Sequence, residues 1–235
     1  MNEQFGIEKT IKSIPKSIIL RDTGYDLEII VVDGESTDTT CDIATSLGAK
    51  VIVEKRKGYG RACKSGFAAA RGKILVTLDA DNTYPTECIP IYIEMLVNRG
   101  LDFLSINRFS CMEKGAMNLR RKFGNKLLTL VMRLLYHIDV KDSQSGMWIM
   151  KKSFISQVKL ISDDMSLSEE IKIVAFSNFK AAEVDGKYSA RSGTAKLKEF
   201  HDGWRNLTYL FGYKKRSRSA VMKLSSSKEK EILSE

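Results

Sequence analysis

The sequence predicts an α/β fold built on a doubly wound, mostly parallel sheet flanked by helices. Three observations carry that expectation. Short apolar runs alternate with helix-period segments through the first half of the chain, the alternation that right-handed βαβ crossovers require. Glycines fall just beyond the helical segments, where a left-handed cap ends a helix. Aspartates stand directly after two of the apolar runs, and open sheets of this class bind ligands beyond the carboxyl ends of their strands.

Taken in order, Ile7, Ile11, Ile14 and Ile18 give the first helix an apolar stripe that needs a sheet to cover it. Residues 27–32 form a β-branched apolar run that suits a buried parallel strand, ending at Asp33. A helix over 38–47 stops at Gly48, a strand follows at 50–53, and a helix over 60–71 stops at Gly72. The third strand, 74–78, ends at Asp79. Residues 85–97 read as a helix with proline in its first turn, and 102–106 as a strand. The second half is less regular. It predicts a long apolar helix over 118–137, a strand at 147–150, a helix at 166–176, a strand at 181–184 and an aromatic, basic end.

At 235 residues the chain holds one large domain with a sizeable core. Its 43% hydrophobic and 29% charged residues, with 3 prolines, exclude a disordered or collagen-like protein. The net charge of +9 favours anionic partners without choosing among nucleic acid, anionic lipid and phosphorylated small molecules. Lys214, Lys215, Arg216 and Arg218 read as a solvated basic run. Cys41, Cys63, Cys88 and Cys111 lack the paired spacing of a zinc site and read as reduced thiols; His137 and His201 are isolated. No stretch approaches the roughly 20 apolar residues that span a bilayer, and no repeat or low-complexity linker appears.

Three segments carry chemistry. LDADNTYP places Asp79 and Asp81 on a turn leaving a strand, where two carboxylates can hold a hard cation and leave positions open for diphosphate oxygens. A turn that merely favours aspartate would look the same in isolation; the strand-end setting and Asp33 favour the site. VDGESTDTT offers Asp33, a tight turn at Gly34, and Ser36, Thr37 or Asp38 as helix caps. KRKGYGRACKSG sets Lys55, Arg56, Lys57, Gly58 and Gly60 before a helix start, where free N–H groups and cations meet a diphosphate or ribose. These glycines match neither the dinucleotide-binding nor the P-loop spacing, which disfavours nicotinamide enzymes and P-loop kinases.

In order along the chain, NEQFGI, EIIVVDGESTDTT, KGYGRACKSGF, TLDADNTYP, NRF, DSQSGMWIM, SLSEEI and YSARSGTAKL resemble the family 2 glycosyltransferases of GT-A fold, and within them the dolichyl-phosphate sugar synthases. The resemblance covers roughly residues 2–200. It implies a GT-A domain over 1–200 with a C-terminal helical region on the acceptor side, followed by an aromatic and basic segment over 201–235 at a membrane surface. It also implies an inverting enzyme that uses Mg2+ or Mn2+ to move sugar from a nucleotide-diphosphate donor to a polyprenyl (dolichyl) phosphate, peripherally on the cytoplasmic face of the cell membrane, with no nucleic-acid partner. Asn2, Glu3, Asp33, Lys57, Gly58 and Asp79 are implied around the donor nucleotide, and Asp79 and Asp81 at the metal. Arg108, Arg121, Arg191 and Lys196 match basic positions aimed at the acceptor phosphate; Arg120 and Lys122 are adjacent candidates to Arg121. Asp142, Gln144, Glu169 and Glu170 match acceptor-side motifs near the reacting centre.

The chain departs from the family pattern twice. Thr83 stands where many such synthases have a metal-site glutamine, so water would complete the shell. The family's first strand, which precedes the NE motif, has no counterpart here, and the expectation is a longer natural frame that supplies it. A phosphate acceptor is already ionised near pH 7, so the enzyme's work is electrostatic. A hydroxyl of a glycan or lipid as acceptor would instead need a base at Glu169 or Glu170. A non-catalytic nucleotide-sugar or nucleic-acid binder is the rival from another class. The 118–137 helix, with Arg120, Arg121, Lys122 and Lys126 ahead of an apolar body, suits either a buried helix or an interfacial one. Trp204, Tyr209, Phe211 and Tyr213 suit the same interface.

Overall fold

The computed structural model of the protein describes residues 1–192 and 203–215. Lys196, Arg216, Arg218 and His201 lie outside the described residues. The fold opens with two short helices in place of one. Helix α1 (Gln4–Ser13) ends because Pro15 forces Ile14 into extended backbone, and α2 (Lys16–Thr23) starts afresh. The predicted stripe therefore breaks: Ile7 and Ile11 are buried, Ile18 is 40% exposed, and Ile19 takes the inward place.

Strand β1 (Ile30–Asp33) is shorter than the apolar run suggested. Leu27 is exposed, and Glu28 leaves the sheet direction to accept from the backbone N–H groups of Arg71 and Gly72. Helix α3 (Thr40–Ser46), strand β2 (Lys50–Val53) and helix α4 (Tyr59–Ala69) follow. Gly48 ends the first helical stretch in the left-handed conformation (φ +81). Gly72 does no such work, because α4 stops at Ala70, whose backbone is extended. After β3 (Ile74–Val76) a 3₁₀ turn precedes α5 (Ile89–Asn98), and Pro90, not Pro85, occupies the first turn.

Strand β4 (Phe103–Met112) runs twice the length of its apolar part because the polar NRFSCM half also pairs. Helix α6 (Leu119–Tyr136) is capped by the Asn118 side chain, which accepts from the Arg121 N–H at 2.8 Å, and ends at a left-handed His137. Then come β5 (Trp148–Lys151), α7 (Lys152–Gln157), α8 (Leu167–Asn178), β6 (Ala181–Tyr188) and a helix over 203–215, here α9.

Two sheets form. β1 pairs in parallel with β2, while the second sheet has the order β3-β5-β4-β6. β5 is antiparallel to both neighbours and β4 is parallel to β6, so the sheet is antiparallel across β3-β5-β4 and parallel only at the β4–β6 flank. Among the described residues no strand pairs β1 with β3. A cleft of about 2510 Å³ opens there, walled by Ile7, Val32, Phe67, Ile74 and Ile89 on its apolar side. One core lies under α5 and β4 (Leu96, Leu104, Ile106, Ile149), a second between β5 and α8 (Phe103, Trp148, Phe154, Ile171). A third joins α6 to α9 through Leu128, Met132, Ile173 and Leu210, which ties the aromatic C-terminal segment into the fold. The four cysteines are free thiols. No helix of the described residues is long and apolar enough to cross a membrane.

Candidate active site

The strand ends of β1, β2 and β3 open on the cleft. At the first, Asp33 is buried and accepts from the Ser36 N–H at 2.6 Å and from the Ser36 hydroxyl. Burial pushes its carboxyl up, but these bonds and the Cys41 thiol outweigh that and hold its pKa below the ordinary range. The NEQ segment is stitched to the same loop: Asn2 N donates to Ser36 Oγ at 2.7 Å, Thr37 N to Asn2 Oδ1 at 2.8 Å, and Glu3 N to Thr40 Oγ1 at 2.8 Å. Asn2 and Asp33 therefore shape the loop, while Gly34, Glu35 and Glu3 form the cleft wall.

Lys57 and Gly58 line the cleft before α4. Gly58 sits at φ +128, and a Cβ there would meet the Asp163 carbonyl oxygen at 2.1 Å; one at Gly60 would meet that of Ser162 at 2.7 Å. The predicted glycine turn is thus required by close backbone contact with the 162–164 loop, reinforced by Arg61 on Asp163 at 2.6 Å.

Asp79 and Asp81 both line the cleft. Surrounding protein and the charge of Asp81 push the Asp79 pKa up to about 7, the mark of two carboxylates whose repulsion a cation would relieve. Thr83 does not join this pair as a ligand; its hydroxyl donates to Asp81 Oδ1 at 2.7 Å and orients it. Among the described residues no group of three or more His, Cys, Asp or Glu side chains converges to hold a metal. The donor set is an all-oxygen pair that leaves most positions to ligand oxygens, which fits a hard cation such as Mg2+ or Mn2+ shared with a diphosphate.

Arg191 falls on this side. Its Nη2 donates to Glu3 Oε1 at 2.9 Å and lies 3.4 Å from Asp81 Oδ2, while its buried Nε has no partner. The resemblance implies a place with the acceptor; in the structure it lies beside Glu3 and Asp81, which the same resemblance implies around donor and metal. Arg108 and Arg121 line the other part of the cleft. Arg108 is buried over the Tyr188 ring and grips Asp142 with two bonds, Nε to Oδ2 at 2.7 Å and Nη2 to Oδ1 at 2.9 Å. Burial alone would raise the Asp142 pKa, yet Arg108 holds it below the carboxylate range.

Of the four residues matched to the reacting centre, Gln144 alone lines the cleft. It donates to Glu169 Oε1 at 2.7 Å and accepts from Asn206 on α9 at 2.9 Å. Asp142, Glu169 and Glu170 are fully buried behind it. Burial drives the Glu169 pKa well above the usual range, against the Gln144 hydrogen bond and the Lys172 charge, and its Oε2 has no partner. Glu170 accepts from the N–H groups of Ile161 and Ser162, at 2.8 and 2.7 Å, which makes it the anchor of that loop. Neither glutamate is placed to take a proton from an acceptor.

Sequence reasoning missed Tyr84, Asn206 and Lys172. The Tyr84 hydroxyl accepts from Gly146 N at 2.7 Å, and Lys172 lies buried beneath the DSQSG loop. Only the aromatic in TYP and a lysine inside an otherwise apolar helix signalled them.

Residues 1–159 match Glycosyl transferase family 2, and the chain belongs to that family of enzymes. It is 33% identical over 179 residues to a dolichyl-phosphate hexose transferase of Haloferax volcanii, covering 75% of this chain and 76% of the relative. A dolichol-phosphate mannosyltransferase of Pyrococcus furiosus is 30% identical over 84% of this chain. A low-salt glycan biosynthesis hexosyltransferase of Haloferax volcanii is 32% identical over 89%. The chain spans 57% and 51% of the length of those two. Glucosyl-3-phosphoglycerate synthase from Mycobacterium tuberculosis, solved with Mn2+ and UDP-glucose, superposes with a TM-score of 0.67 at 22% identity, over 91% of this chain and 76% of that one. That likeness shows the GT-A fold expected from the sequence.

Proposed function

We propose that this enzyme transfers a hexose from a nucleotide-diphosphate sugar to a polyprenyl (dolichyl) phosphate, with inversion, at the cytoplasmic face of a membrane. The observation that carries the reading is the composition of one cleft. Asp79, Asp81, Arg108 and Gln144 line it, and so do the exposed Phe123, Leu127 and Trp204 at its mouth, with Leu207. One cleft thus holds carboxylates for a cation, a cation for phosphate and apolar surface for a lipid tail. The names of the relatives in Haloferax volcanii and Pyrococcus furiosus point to the same acceptor class.

Asp79 and Asp81 would hold Mg2+ or Mn2+, which when bound neutralises the diphosphate leaving group. Glu3, Lys57 and the Gly34 turn border the nucleoside. Arg108, fixed by Asp142, orients an anionic acceptor whose oxygen attacks from the face opposite the diphosphate, and Arg121 adds charge at the mouth. No general base is required, which agrees with a fully buried Glu169 and an anchored Glu170.

A membrane surface is the partner that fits the mouth. Leu119, Phe123, Leu127, Leu130 and Leu134 recur along α6 at helical spacing and are 83, 72, 45, 53 and 67% exposed. Arg120, Arg121, Lys122 and Lys126 flank them, and Trp204 and Phe211 of α9 extend the patch.

The test is incubation of the protein with a panel of nucleotide sugars, Mg2+ or Mn2+, and polyprenyl phosphate in anionic vesicles, reading lipid-linked sugar by mass. A lipid phosphate sugar as product is expected. Transfer only to free glycans, or binding without turnover, would replace this reading.

A further inference from the structure

Lys172 is a fully buried lysine in the middle of α8, a helix that also buries Leu167, Ile171 and Ala175 in the apolar core, together with Glu169 and Glu170. Placing an ammonium there is costly unless it is paired and hydrogen-bonded. Here the hydrogen bonds go to one loop, and the nearby carboxylates of Asp142 and Glu183 supply favourable charge. Nζ donates to the carbonyl oxygen of Asp142 at 2.5 Å and to that of Ser145 at 3.1 Å. One cation therefore grips both ends of the four-residue loop whose first side chain fixes Arg108 and whose third, Gln144, enters the cleft. Trp148 Nε1 donates to the same Ser145 carbonyl at 2.8 Å, so the hold on the loop is shared with an indole.

We propose that Lys172 is a positioning residue for the transfer reaction: its ammonium holds the Asp142–Ser145 loop in the shape that presents Arg108 and Gln144 to the acceptor. The proposal rests on the acceptor-side reading given above. It adds a residue that touches neither substrate and acts through the loop.

The charged groups facing Nζ come from every element around it. Asp142 on the loop and Glu183 on β6 favour the ammonium, as does Glu169 on α8 itself, whereas Arg108 on β4 opposes it. Burial dominates and lowers the Lys172 pKa to about 8. Above that pH the amine is neutral, keeps two hydrogens in place of three, and loses its attraction to Asp142. The loop's hold on Arg108 weakens at alkaline pH through this one group.

The experiment compares the full chain with Lys172→Met, which keeps length and removes the charge and donors. Acceptor and donor parameters are measured from pH 6.5 to 9.5, and Trp148 fluorescence is followed in a Trp204→Phe background, since the chain has 2 tryptophans. Expected are nucleotide-sugar affinity within about twofold of the parent, kcat/KM for polyprenyl phosphate lowered about tenfold or more, and loss of an alkaline transition near pH 8 in both turnover and fluorescence. Unchanged acceptor kinetics, or an alkaline limb that persists in Lys172→Met, overturns the proposal. If that variant does not fold, Glu183→Gln decides: removing a favourable charge moves the transition to lower pH, and an unmoved transition overturns the proposal. A parent that gives the fluorescence transition but no transfer to polyprenyl phosphate refutes the acceptor assignment instead, since the optical signal needs no acceptor.

Discussion

Arg191 Nη2 stands 3.4 Å from Asp81 Oδ2, so a guanidinium occupies the carboxylate that the fold would offer to a metal ion. The two cations compete for one oxygen. Arg191→Ala should tighten Mn2+ binding to the nucleotide-free protein about threefold to fivefold, the release of an ion pair worth roughly 1 kcal/mol. Calorimetric titration of the two proteins checks this; equal affinities would show that Arg191 moves away at no cost. In excess chelator, turnover of the parent enzyme should cease.

Asp81→Asn keeps an oxygen for the Thr83 hydroxyl and removes the charge. Transfer should fall by roughly 10²-fold or more, the scale of losing one electrostatic group at a reacting centre, with the melting temperature nearly unchanged. Full activity in the variant would remove Asp81 from the metal site.

Glu169→Gln tests the neutral carboxyl. Burial raises the Glu169 pKa in the folded protein, whereas the unfolded chain releases that proton above pH of about 4.3. A raised folded pKa means stability is fully present below that pH and declines as pH rises, by up to about 1.4 kcal/mol per pH unit until the folded pKa is reached. The amide is neutral throughout and keeps an acceptor for Gln144. The variant should therefore match the parent near pH 4 and exceed it in melting temperature at pH 7.5. A gap that does not grow with pH would mean that Glu169 is ionised in the folded protein.

Gly58→Ala should destabilise the protein by about 1–3 kcal/mol, because φ is +128 and the new methyl would meet the Asp163 carbonyl at 2.1 Å. Nucleotide affinity should fall with it as the KGYG turn shifts. Gly34→Ala is the contrast in stability, since a Cβ there meets Met1 Cβ at an ordinary 3.8 Å. Thermal melts of both variants decide.

The first half of the chain is legible in the sequence because its signals are local. A β-branched run, a terminal aspartate and a capped helix each announce themselves within ten residues, and β1, α3, β2, α4 and β3 stand within a few residues of their predicted places. Pro15 is equally visible, but the isoleucine spacing runs across it. The second half depends on distant pairings. Nothing near Glu170 announces that it holds Ile161 and Ser162, and Arg191 meets Glu3 across 188 positions. The antiparallel course of β5 escaped for the same reason, since direction is set by the connection over α6 and not by the residues of the strand.

Among the described residues no ladder hydrogen bond joins β1 to β3, so their ladder falls into two parts. The β1–β2 pair has its own small core, in which Ile7, Ile11, Ala44 and Ala49 pack together, separate from the cores around β4 and β5. Cooperative opening follows such divisions. Amide hydrogens of Val31, Val32 and Val51–Val53 should exchange with solvent deuterium as one fast group, while those of 103–106 and 148–150 exchange only with global unfolding. The part that carries β1 and β2 would then open ahead of the part that carries β4 and β5, and occupancy of the cleft that both line would slow the first set while leaving the second unmoved.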